Sequence, residues 1–337
     1  MNEVTRNRIF ERYAKYIWPI HRFFVRGLSD RCKKCILSKK YIHIGKDGIC
    51  DECKAYIGKK CSVPNINIIH EFNEKVNYYM SFDREYHAIF MLSGGKDSAY
   101  VINRLVVEFP NLRLLCVNVD NGFASHISLQ NVEYISGKLK VDSIIVRSHF
   151  ERFKNAFRSA FLQLGAGKKS YEIVDFADGT IIYDIGKNIA KSMNIPAVFC
   201  GLSEVQSQMI LKMDGFELEN IGEPNIIFPL AAWRTSEIDI HNNVRELKLI
   251  PRGNDSPLIT NNCMIATMCV IDIMNNGYCS FEPEFAKIIR EGTADRRKWL
   301  YIYEMLEHAT RKKWLEKDVV ENLGKLGLTL EDVVKEK

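Results

Sequence analysis

Short apolar runs alternate with longer amphipathic stretches through the middle of the chain. Four runs rich in β-branched and aromatic residues predict strands at His87 to Leu92, Arg113 to Val119, Asp142 to Val146 and Ala197 to Cys200. The stretches between them predict helices near Ser98 to Glu108, Ile127 to Lys138, Phe150 to Leu164 and Thr180 to Met193. This alternation is typical of a parallel sheet with helices on both faces. We therefore expect an α/β fold of Rossmann-like architecture.

The two ends of the chain carry helical patterns. Apolar residues recur at helical intervals from Ile9 to Phe24, which predicts an amphipathic helix that packs on the body of the protein or on a second subunit, as in a homodimer. Adsorption to a membrane surface is the less favoured reading, because Pro19 interrupts the pattern. The carboxy-terminal part also reads as helices, among them Ser236 to Leu247.

Length and composition limit the classes of protein to which this chain can belong. A chain of 337 residues, of which 46% are hydrophobic, is long enough for about two domains and can bury a sizeable core. The formal charge of +5 is too small to indicate nucleic acid, and we read the basic residues between positions 22 and 60 as a solvated face in preference to an RNA-facing patch. No apolar run approaches the ~20 residues of a membrane span, and no signal-peptide pattern is present. We expect a soluble, cytoplasmic protein.

Four of the ten cysteines form two CxxC pairs, Cys32 with Cys35 and, after a spacer of 14 residues, Cys50 with Cys53. Each pair directs two thiolates at one centre, and two pairs complete a tetrahedral shell for Zn²⁺. Because protein supplies all four ligands, we expect a structural zinc ribbon. An iron–sulfur cluster is the competing occupant.

A glycine-rich turn links an apolar strand to a helical pattern between Phe90 and Ser98, with the sequence FMLSGGKDS. The two glycines let the backbone bend tightly and approach an anion, and the first N–H groups of the following helix point at that anion. The spacing differs from that of a Walker A motif. The loop predicts a phosphate site, against the plainer reading of a strand-to-helix turn without a ligand.

The order Ser-Gly-Gly-x-Asp-Ser resembles the PP-loop of the ATP pyrophosphatases, the adenine nucleotide α-hydrolase superfamily. The matching residues are Ser93, Gly94, Gly95, Asp97 and Ser98. The resemblance implies a PP-loop fold that binds ATP and Mg²⁺. It further implies that a substrate oxygen attacks the α-phosphate to give an adenylated substrate and pyrophosphate, with Lys96 and Asp97 among the catalytic residues.

Further candidates stand at the ends of the other predicted strands. In PP-loop enzymes the end of the second strand lies near the adenosine, so the resemblance suggests nucleotide contacts by Asn118, Asp120 and Gly122, although Asp-Asn-Gly is also a common plain turn. Gly201 would let the backbone approach a phosphate, and Glu204 is a candidate acid/base or metal carboxylate. These two positions resemble the Gly-x-(Ser/Asn)-x-Glu region of N-acetyl sugar amidotransferases, although no residue separates Ser203 from Glu204 here. Those enzymes share the double-CxxC ribbon and the SGGKDS loop.

Asp178 opens the fourth helical pattern. It is either a ligand for Mg²⁺ or a substrate amine, or an ordinary helix cap.

Two cysteines of the carboxy-terminal third, Cys263 and Cys269, suggest sulfur chemistry. A helix that begins near Asn262 would place Cys263 at its start, where backbone N–H groups favour the thiolate, whereas the six-residue spacing turns Cys269 away from it. The pair resembles the persulfide-carrying and resolving cysteines of sulfur-transferring PP-loop enzymes, among which tRNA thiolases often combine a double-CxxC ribbon with SGGKDS. The plainer reading is that both are small buried hydrophobes.

All enzymatic readings share adenylation of a carbonyl or amide oxygen and differ in the second nucleophile. Sulfur would give a thioamide or thiocarbonyl product and would need a sulfur donor protein. Ammonia would give an amidine and would need a partner glutaminase. The additional cysteines favour sulfur narrowly, and a small or carrier-bound amide is favoured over tRNA as the substrate. A zinc-ribbon scaffold with a degenerate nucleotide pocket is the non-enzymatic alternative, which the intact loop disfavours.

Four segments are expected along the chain: a helical extension over 1–30, the ribbon over 31–62, the nucleotide-binding domain over 63–230 and a mainly helical substrate-specificity region over 231–337.

Overall fold

A computed structural model of the chain describes residues 9–10, 12–56, 65–219, 224–254 and 263–335. The chain divides into two compact units, each assembled from segments that are distant in the sequence. We call them the helical unit and the sheet unit. The helical unit comprises Met1–Lys60, Glu151–Asp178 and Cys263–Lys337, and the sheet unit comprises Cys61–Phe150 and Gly179–Asn262.

The sheet unit contains one six-stranded sheet of order β3-β2-β1-β4-β6-β5. Its strands are β1 (Ala88–Met91), β2 (Leu114–Asp120), β3 (Asp142–Arg147), β4 (Ala197–Cys200), β5 (Glu217–Leu218) and β6 (Asn225–Ile227). All neighbouring strands are parallel except β5 and β6. Every residue of β1 and β4 is buried, as expected for central strands that are covered on both faces. The predicted Rossmann-like parallel sheet is confirmed.

The described residues form α-helices of very different lengths. They are α1 (Trp18–His21), α2 (Asp51–Ala55), α3 (Ile66–Met80), α4 (Lys96–Glu108), α5 (His126–Leu139), α6 (Phe150–Gly165), α7 (Phe176–Ser192), α8 (Glu204–Leu211), α9 (Pro229–Trp233), α10 (Glu237–Glu246), α11 (Met264–Asn276), α12 (Glu282–Arg290), α13 (Arg296–Arg311), α14 (Glu316–Lys325) and α15 (Leu330–Val333). The helices predicted between the strands are all present. Among the described residues, no helix combines the length and apolar character that crossing a bilayer requires.

An aromatic cluster holds the outer helices of the sheet unit together. Phe72 of α3 is fully buried, and its ring meets those of Phe109, Phe216 and Trp233 edge-on at centroid distances of 6.3, 5.7 and 5.3 Å. Edge-to-face contacts at this distance suit the quadrupoles of aromatic rings. The cluster therefore fixes α3 against α9.

Buried carboxylates organise the helical unit. Asp272 of α11 accepts hydrogen bonds from the backbone N–H and hydroxyl groups of both Ser170 and Ser280. Glu304 of α13 accepts from the indole Nε1 of Trp18 at 3.0 Å and from Arg22 Nε at 2.8 Å. These contacts satisfy the charges, as burial requires. They also tie segments that lie more than 100 positions apart into one body.

The amino-terminal segment remains helical through Pro19, so the expectation that this proline interrupts the pattern is wrong. A π-helical turn, Tyr13–Ile17, precedes α1, and a 3₁₀ turn, Arg22–Phe24, follows it. The Trp18 N–H donates to the Tyr13 carbonyl group five residues back. Pro19 then lies in the first turn of α1, where a missing N–H costs little.

Candidate functional site

The four ribbon cysteines converge in the helical unit. The Sγ atoms of Cys32, Cys35, Cys50 and Cys53 all lie within 4.8 Å of one another, and all four side chains are buried. Isolated antiparallel bridges, Arg31 with Ser38 and Ile44 with Cys50, form the two arms. Four thiolates at this separation fit a closed, tetrahedral metal site of the kind that zinc or an iron–sulfur cluster occupies.

Neighbouring donors hold the first CxxC turn in place. The guanidinium group of Arg296 donates to the carbonyl oxygens of Cys32 and Cys35 at 2.8 and 2.7 Å. The Cys50 N–H lies 3.3 Å from the Cys32 sulfur. Although burial opposes it, hydrogen bonds from backbone N–H groups lower the pKa of Cys32 to about 7, whereas burial raises the pKa values of Cys35 and Cys50. Binding of a metal would therefore release protons from Cys35 and Cys50, because thiolate is the form that binds a metal.

The glycine-rich loop of the sheet unit connects β1 to α4. Gly94 has φ +78°, and a Cβ atom at this position would lie 2.3 Å from the Ser128 carbonyl oxygen. Gly95 is the N-cap residue of α4 and, as a glycine, has no side chain with which to cap the helix. Within the loop the hydroxyl oxygens of Ser93 and Ser98 lie 3.1 Å apart, and the Ser98 hydroxyl donates to the Gly95 carbonyl group at 3.0 Å. The loop presents an uncapped helix start of the kind that binds anions.

An asparagine pair braces the loop from behind. Asn131 of α5 is fully buried and donates through Nδ2 to the carbonyl oxygens of Gly94 at 2.8 Å and Asn254 at 3.2 Å. The Asn254 side chain donates in return to Asn131 Oδ1 at 3.3 Å. Neither residue was singled out from the sequence. The available signal was that Asn131 falls on the apolar stripe of α5, together with Ile127 and Ile135.

Lys96 and Asp97 form an ion pair at the start of α4. Lys96 Nζ lies 2.8 Å from each carboxylate oxygen of Asp97, and both side chains are partly exposed. The carboxylate lies in the first turn of a helix whose N–H groups would face an anion. A phosphate bound there needs a cation between itself and Asp97, because two negative groups at short range repel each other.

The end of β2 lies at the same edge of the sheet. Asn118 is buried and donates through Nδ2 to the Leu92 carbonyl oxygen at 2.8 Å, which joins β2 to the residue just before the loop. Asp120 accepts from the Gly122 N–H and from Arg147 Nε, both at 3.0 Å. Gly122 has φ +82°, and a Cβ there would lie 2.5 Å from the Phe150 ring. The Asp-Asn-Gly segment is thus a braced turn beside the loop.

The end of β4 approaches the loop from its other side. A Cβ atom at Gly201 would lie 3.4 Å from both N and Cα of Ser98, so the two backbones are in close contact. Three residues later Glu204 accepts a hydrogen bond from Arg234 Nη2 at 2.6 Å. Arg234, which the sequence did not indicate, ends α9 in a left-handed conformation with φ +50°. Glu204 is therefore engaged in an ion pair.

Three other candidates lie in the helical unit, and Asp178 is one of them. The expectation that Asp178 caps a helix is wrong, because the π-helical turn Tyr171–Asp175 runs directly into α7 and Asp178 lies within a continuous helical stretch. The charges of Asp178 and Glu284 both act on the carboxyl group of Asp175. Burial first, and these two charges second, raise the pKa of Asp175 to about 7.

Cys263 and Cys269 differ in environment. Cys263 is the residue just before α11 and is partly exposed, with its sulfur 3.7 Å from Asn322 Oδ1. Cys269 is buried inside α11 and is hydrogen-bonded to the buried Cys279. The expected cap region Thr260 to Asn262 lies outside the described residues. The structure thus pairs Cys269 with Cys279.

No family model matches the sequence, and no curated protein matches it. Similar solved structures include the U34-tRNA thiolase NcsA from Methanococcus maripaludis with its [4Fe-4S] cluster, at 15% identity and TM-score 0.40, covering 87% of this chain and 89% of that chain. NMN synthetase from Francisella tularensis has 14% identity and TM-score 0.38, and the match covers 68% of this chain and 95% of that chain. NH3-dependent NAD synthetase from Campylobacter jejuni has 13% identity and TM-score 0.36, and the match covers 75% of this chain and 94% of that chain. Similarity at this level bears on neither substrate nor reaction.

Proposed function

We propose that the protein is an ATP-dependent enzyme that adenylates a carbonyl or amide oxygen and replaces that oxygen with sulfur. The loop from Ser93 to Ser98 would bind the ATP phosphates. The acceptor would be a small or carrier-bound amide, and a sulfur donor protein would supply the sulfur. The product would be a thioamide or thiocarbonyl compound, with AMP and pyrophosphate released.

The shape of the loop carries this proposal. Gly94 adopts a backbone conformation that other residues rarely adopt, in a space closed by the Ser128 carbonyl group. The turn leads into a helix whose N-cap residue, Gly95, has no side chain to cap it. The backbone of Gly201, just after β4, lies next to that of Ser98, where a Cβ atom would be 3.4 Å from Ser98 N and Cα. A glycine-lined turn and an uncapped helix start at the carboxyl edge of a parallel sheet favour a bound phosphate group.

The charges beside the loop support a role for Mg²⁺. Asp97 adds a negative charge where the anion would bind, and Lys96 offsets it in the absence of nucleotide. With ATP present, Asp97 would hold a divalent cation, which would offset the negative charge of the phosphates. Lys96 would then be released to approach the phosphate oxygens.

The proposed reaction balances in two displacements. The acceptor oxygen attacks the α-phosphorus, the bond between the α-phosphorus and the bridging oxygen breaks, and pyrophosphate leaves. A persulfide on the enzyme then attacks the activated carbon, and AMP leaves with the original oxygen. A second thiol cleaves the sulfur–sulfur bond to release the thiocarbonyl product, and an external thiol reductant restores the resulting disulfide.

We assign the role of persulfide carrier to Cys263 because its side chain is partly exposed. Of the nine cysteines that the structure describes, it alone is not fully buried. Burial raises the pKa of Cys116 to about 12 and also raises the pKa values of Cys200 and Cys279, which makes those thiols poor nucleophiles. Cys269 is buried beside Cys279, so we assign it a packing role rather than that of the resolving thiol.

We further propose that the four-cysteine site holds a structural zinc ion. Its ligands are all supplied by protein and completely buried, and this leaves no open position for a substrate.

Mass spectrometry of the products tests the function directly. The purified protein is incubated with ATP, Mg²⁺, candidate amides and either a persulfide donor or ammonium. An oxygen-to-sulfur mass shift together with AMP and pyrophosphate supports the proposal. An amidine formed with ammonium identifies the amidotransferase alternative, and ADP as the product rejects adenylation altogether.

The variant Cys263→Ser separates the two displacements. We expect it to form adenylate and pyrophosphate normally and to lose sulfur incorporation. The control Cys269→Ser should retain both steps. Full sulfur transfer by Cys263→Ser would reject Cys263 as the carrier.

A further inference from the structure

A row of large apolar side chains is exposed on the amino-terminal helical segment. Its members, which we call the amino-terminal stripe, are Tyr16, Ile17, Ile20, Phe23 and Phe24, exposed by 64, 52, 67, 78 and 78%. Their spacing of one, four, seven and eight positions from the first places them along one face of a helix. Because the chain remains helical through Pro19, the stripe is continuous.

The opposite face of the same segment is already packed. Ala14 and Trp18 are buried against Met305 of α13, and the Trp18 indole is hydrogen-bonded to Glu304. The segment is therefore fixed on its own unit by one face, and the stripe is not the face that folding uses. Apolar patches that remain exposed on an anchored element commonly mark a docking surface.

The residues next to the stripe along the chain are mostly basic. Between positions 12 and 29 the sequence contains Arg12, Lys15, Arg22 and Arg26 and no aspartate or glutamate; Arg22 is paired with Glu304, and Glu11 and Asp30 flank this stretch. Two cations lie over stripe aromatics, Lys15 Nζ at 5.1 Å from the Tyr16 ring centroid and the Arg22 guanidinium at 5.5 Å from that of Phe23. The surface therefore combines apolar side chains with adjacent positive charge.

Apolar side chains beside positive charge favour some binding partners of the stripe over others. A second copy that packed stripe against stripe would bring two positive segments together, and like charges directly opposed are unfavourable. An anionic lipid surface pairs with the cations through its headgroups and accepts the apolar side chains at the headgroup boundary. We propose that the amino-terminal stripe docks the protein on anionic membranes, as a surface contact without a membrane span. This inference is independent of the proposed reaction.

Vesicle sedimentation tests the proposal. The full chain is mixed with vesicles of phosphatidylcholine alone or of phosphatidylcholine and phosphatidylglycerol in equal parts. We expect binding to the anionic vesicles that weakens as salt is raised, because salt screens the charge contribution. The double variant Phe23→Ser/Phe24→Ser should reduce partitioning by about tenfold for each phenylalanine. The variant Arg12→Gln/Lys15→Gln should reduce it by about fivefold for each charge.

A matched control removes exposed apolar side chains elsewhere. Val107 and Val320 are exposed by 69 and 50%, and Val107→Ser/Val320→Ser should bind like the parent chain. Equal binding to neutral and anionic vesicles, or no binding to either, overturns the proposal. A dimer in solution that Phe23→Ser/Phe24→Ser abolishes would identify a second copy as the occupant and would also overturn it. If Phe23→Ser/Phe24→Ser fails to fold, vesicle binding by Arg12→Gln/Lys15→Gln tests the proposal instead, because Arg12 and Lys15 are surface residues.

Discussion

The carbonyl oxygen of Ser128 lies 2.3 Å from the point at which a Cβ atom at Gly94 would stand. Backbone atoms cannot move aside as the end of a flexible side chain can, and Gly94 also has a positive φ. Ser128 of α5 therefore makes the loop from Ser93 to Ser98 dependent on glycine at this position.

Gly94→Ala should consequently abolish pyrophosphate release. The substitution strains the left-handed backbone and pushes the loop away from α5, so we expect a loss of at least about 100-fold in rate and a free energy of unfolding lower by roughly 1–3 kcal/mol. Pyrophosphate release and denaturant titration measure the two effects. Gly137→Ala is the matched control, because Gly137 has no neighbouring atom within 4 Å of its Cβ position. Normal activity in Gly94→Ala would show that ATP binds elsewhere.

Asp97→Asn tests the proposed metal ligand. If the carboxylate holds Mg²⁺ against the phosphates, its removal should lower the rate of pyrophosphate release roughly 100-fold and weaken the dependence of that rate on Mg²⁺ concentration. Titration of the rate with Mg²⁺ provides the measurement. Glu108→Gln, at the other end of α4, removes a carboxylate paired with Arg104 and should leave the titration unchanged. An identical Mg²⁺ titration in Asp97→Asn would contradict the assignment.

Metal analysis distinguishes the two candidate occupants of the cysteine site. We expect about one equivalent of zinc per chain and a colourless protein, since iron–sulfur clusters absorb visible light. Cys53→Ser should lose the metal and destabilise the helical unit, because metal binding contributes to folding. Cys263→Ser should retain it. Stoichiometric iron and sulfide would establish a cluster instead.

The partly buried carboxyl group of Asp175 makes stability depend on pH. Its pKa is raised to about 7 in the folded protein by burial and by Asp178 and Glu284. The folded state therefore binds a proton that the unfolded state has released, so the stabilisation is complete below pH ~4 and is lost as the pH rises through 7. We expect the parent chain to lose about 1.4 kcal/mol from this group between pH 6 and pH 8.

Asp175→Asn removes that dependence. Its free energy of unfolding should rise relative to that of the parent chain as the pH increases from 6 to 8, as measured by denaturant titration at each pH. The control Glu172→Gln replaces a neighbouring carboxylate that is mostly exposed and should show a constant difference. A constant difference for Asp175→Asn as well would mean that the carboxyl group is not protonated at neutral pH.

The sheet could be predicted from the sequence because its central strands are buried on both faces and read as continuous apolar runs. Strands β5 and β6 escaped prediction because two or three residues carry no recognisable pattern. The cysteine cluster was predictable from spacing alone. Asn131 and Arg234, by contrast, act through partners 37 and 30 positions away, and local sequence carries no signal for such pairs.

Pro19 shows where a local rule gave the wrong answer. A proline inside a helical pattern removes one hydrogen bond, and the rule assumes that the helix ends for that reason. Here the preceding π-helical turn changes the hydrogen-bond register, so that the proline occupies the first turn of the next helical segment. Contacts of Trp18 with α13 stabilise the arrangement, and these could not be read from the segment itself.

The brace on the cysteine turn comes from far along the chain, since Arg296 contacts the carbonyl group of Cys35 across 261 positions. At a ribosomal rate of about 5–20 residues per second, roughly 13–52 s separate the synthesis of the two residues. During synthesis, the two cysteine arms therefore lack the hydrogen bonds from the Arg296 guanidinium group, whether or not they have bound an ion. Exposure of four thiols to oxidants during that interval is the hazard that this order of synthesis creates, and early metal capture would protect them.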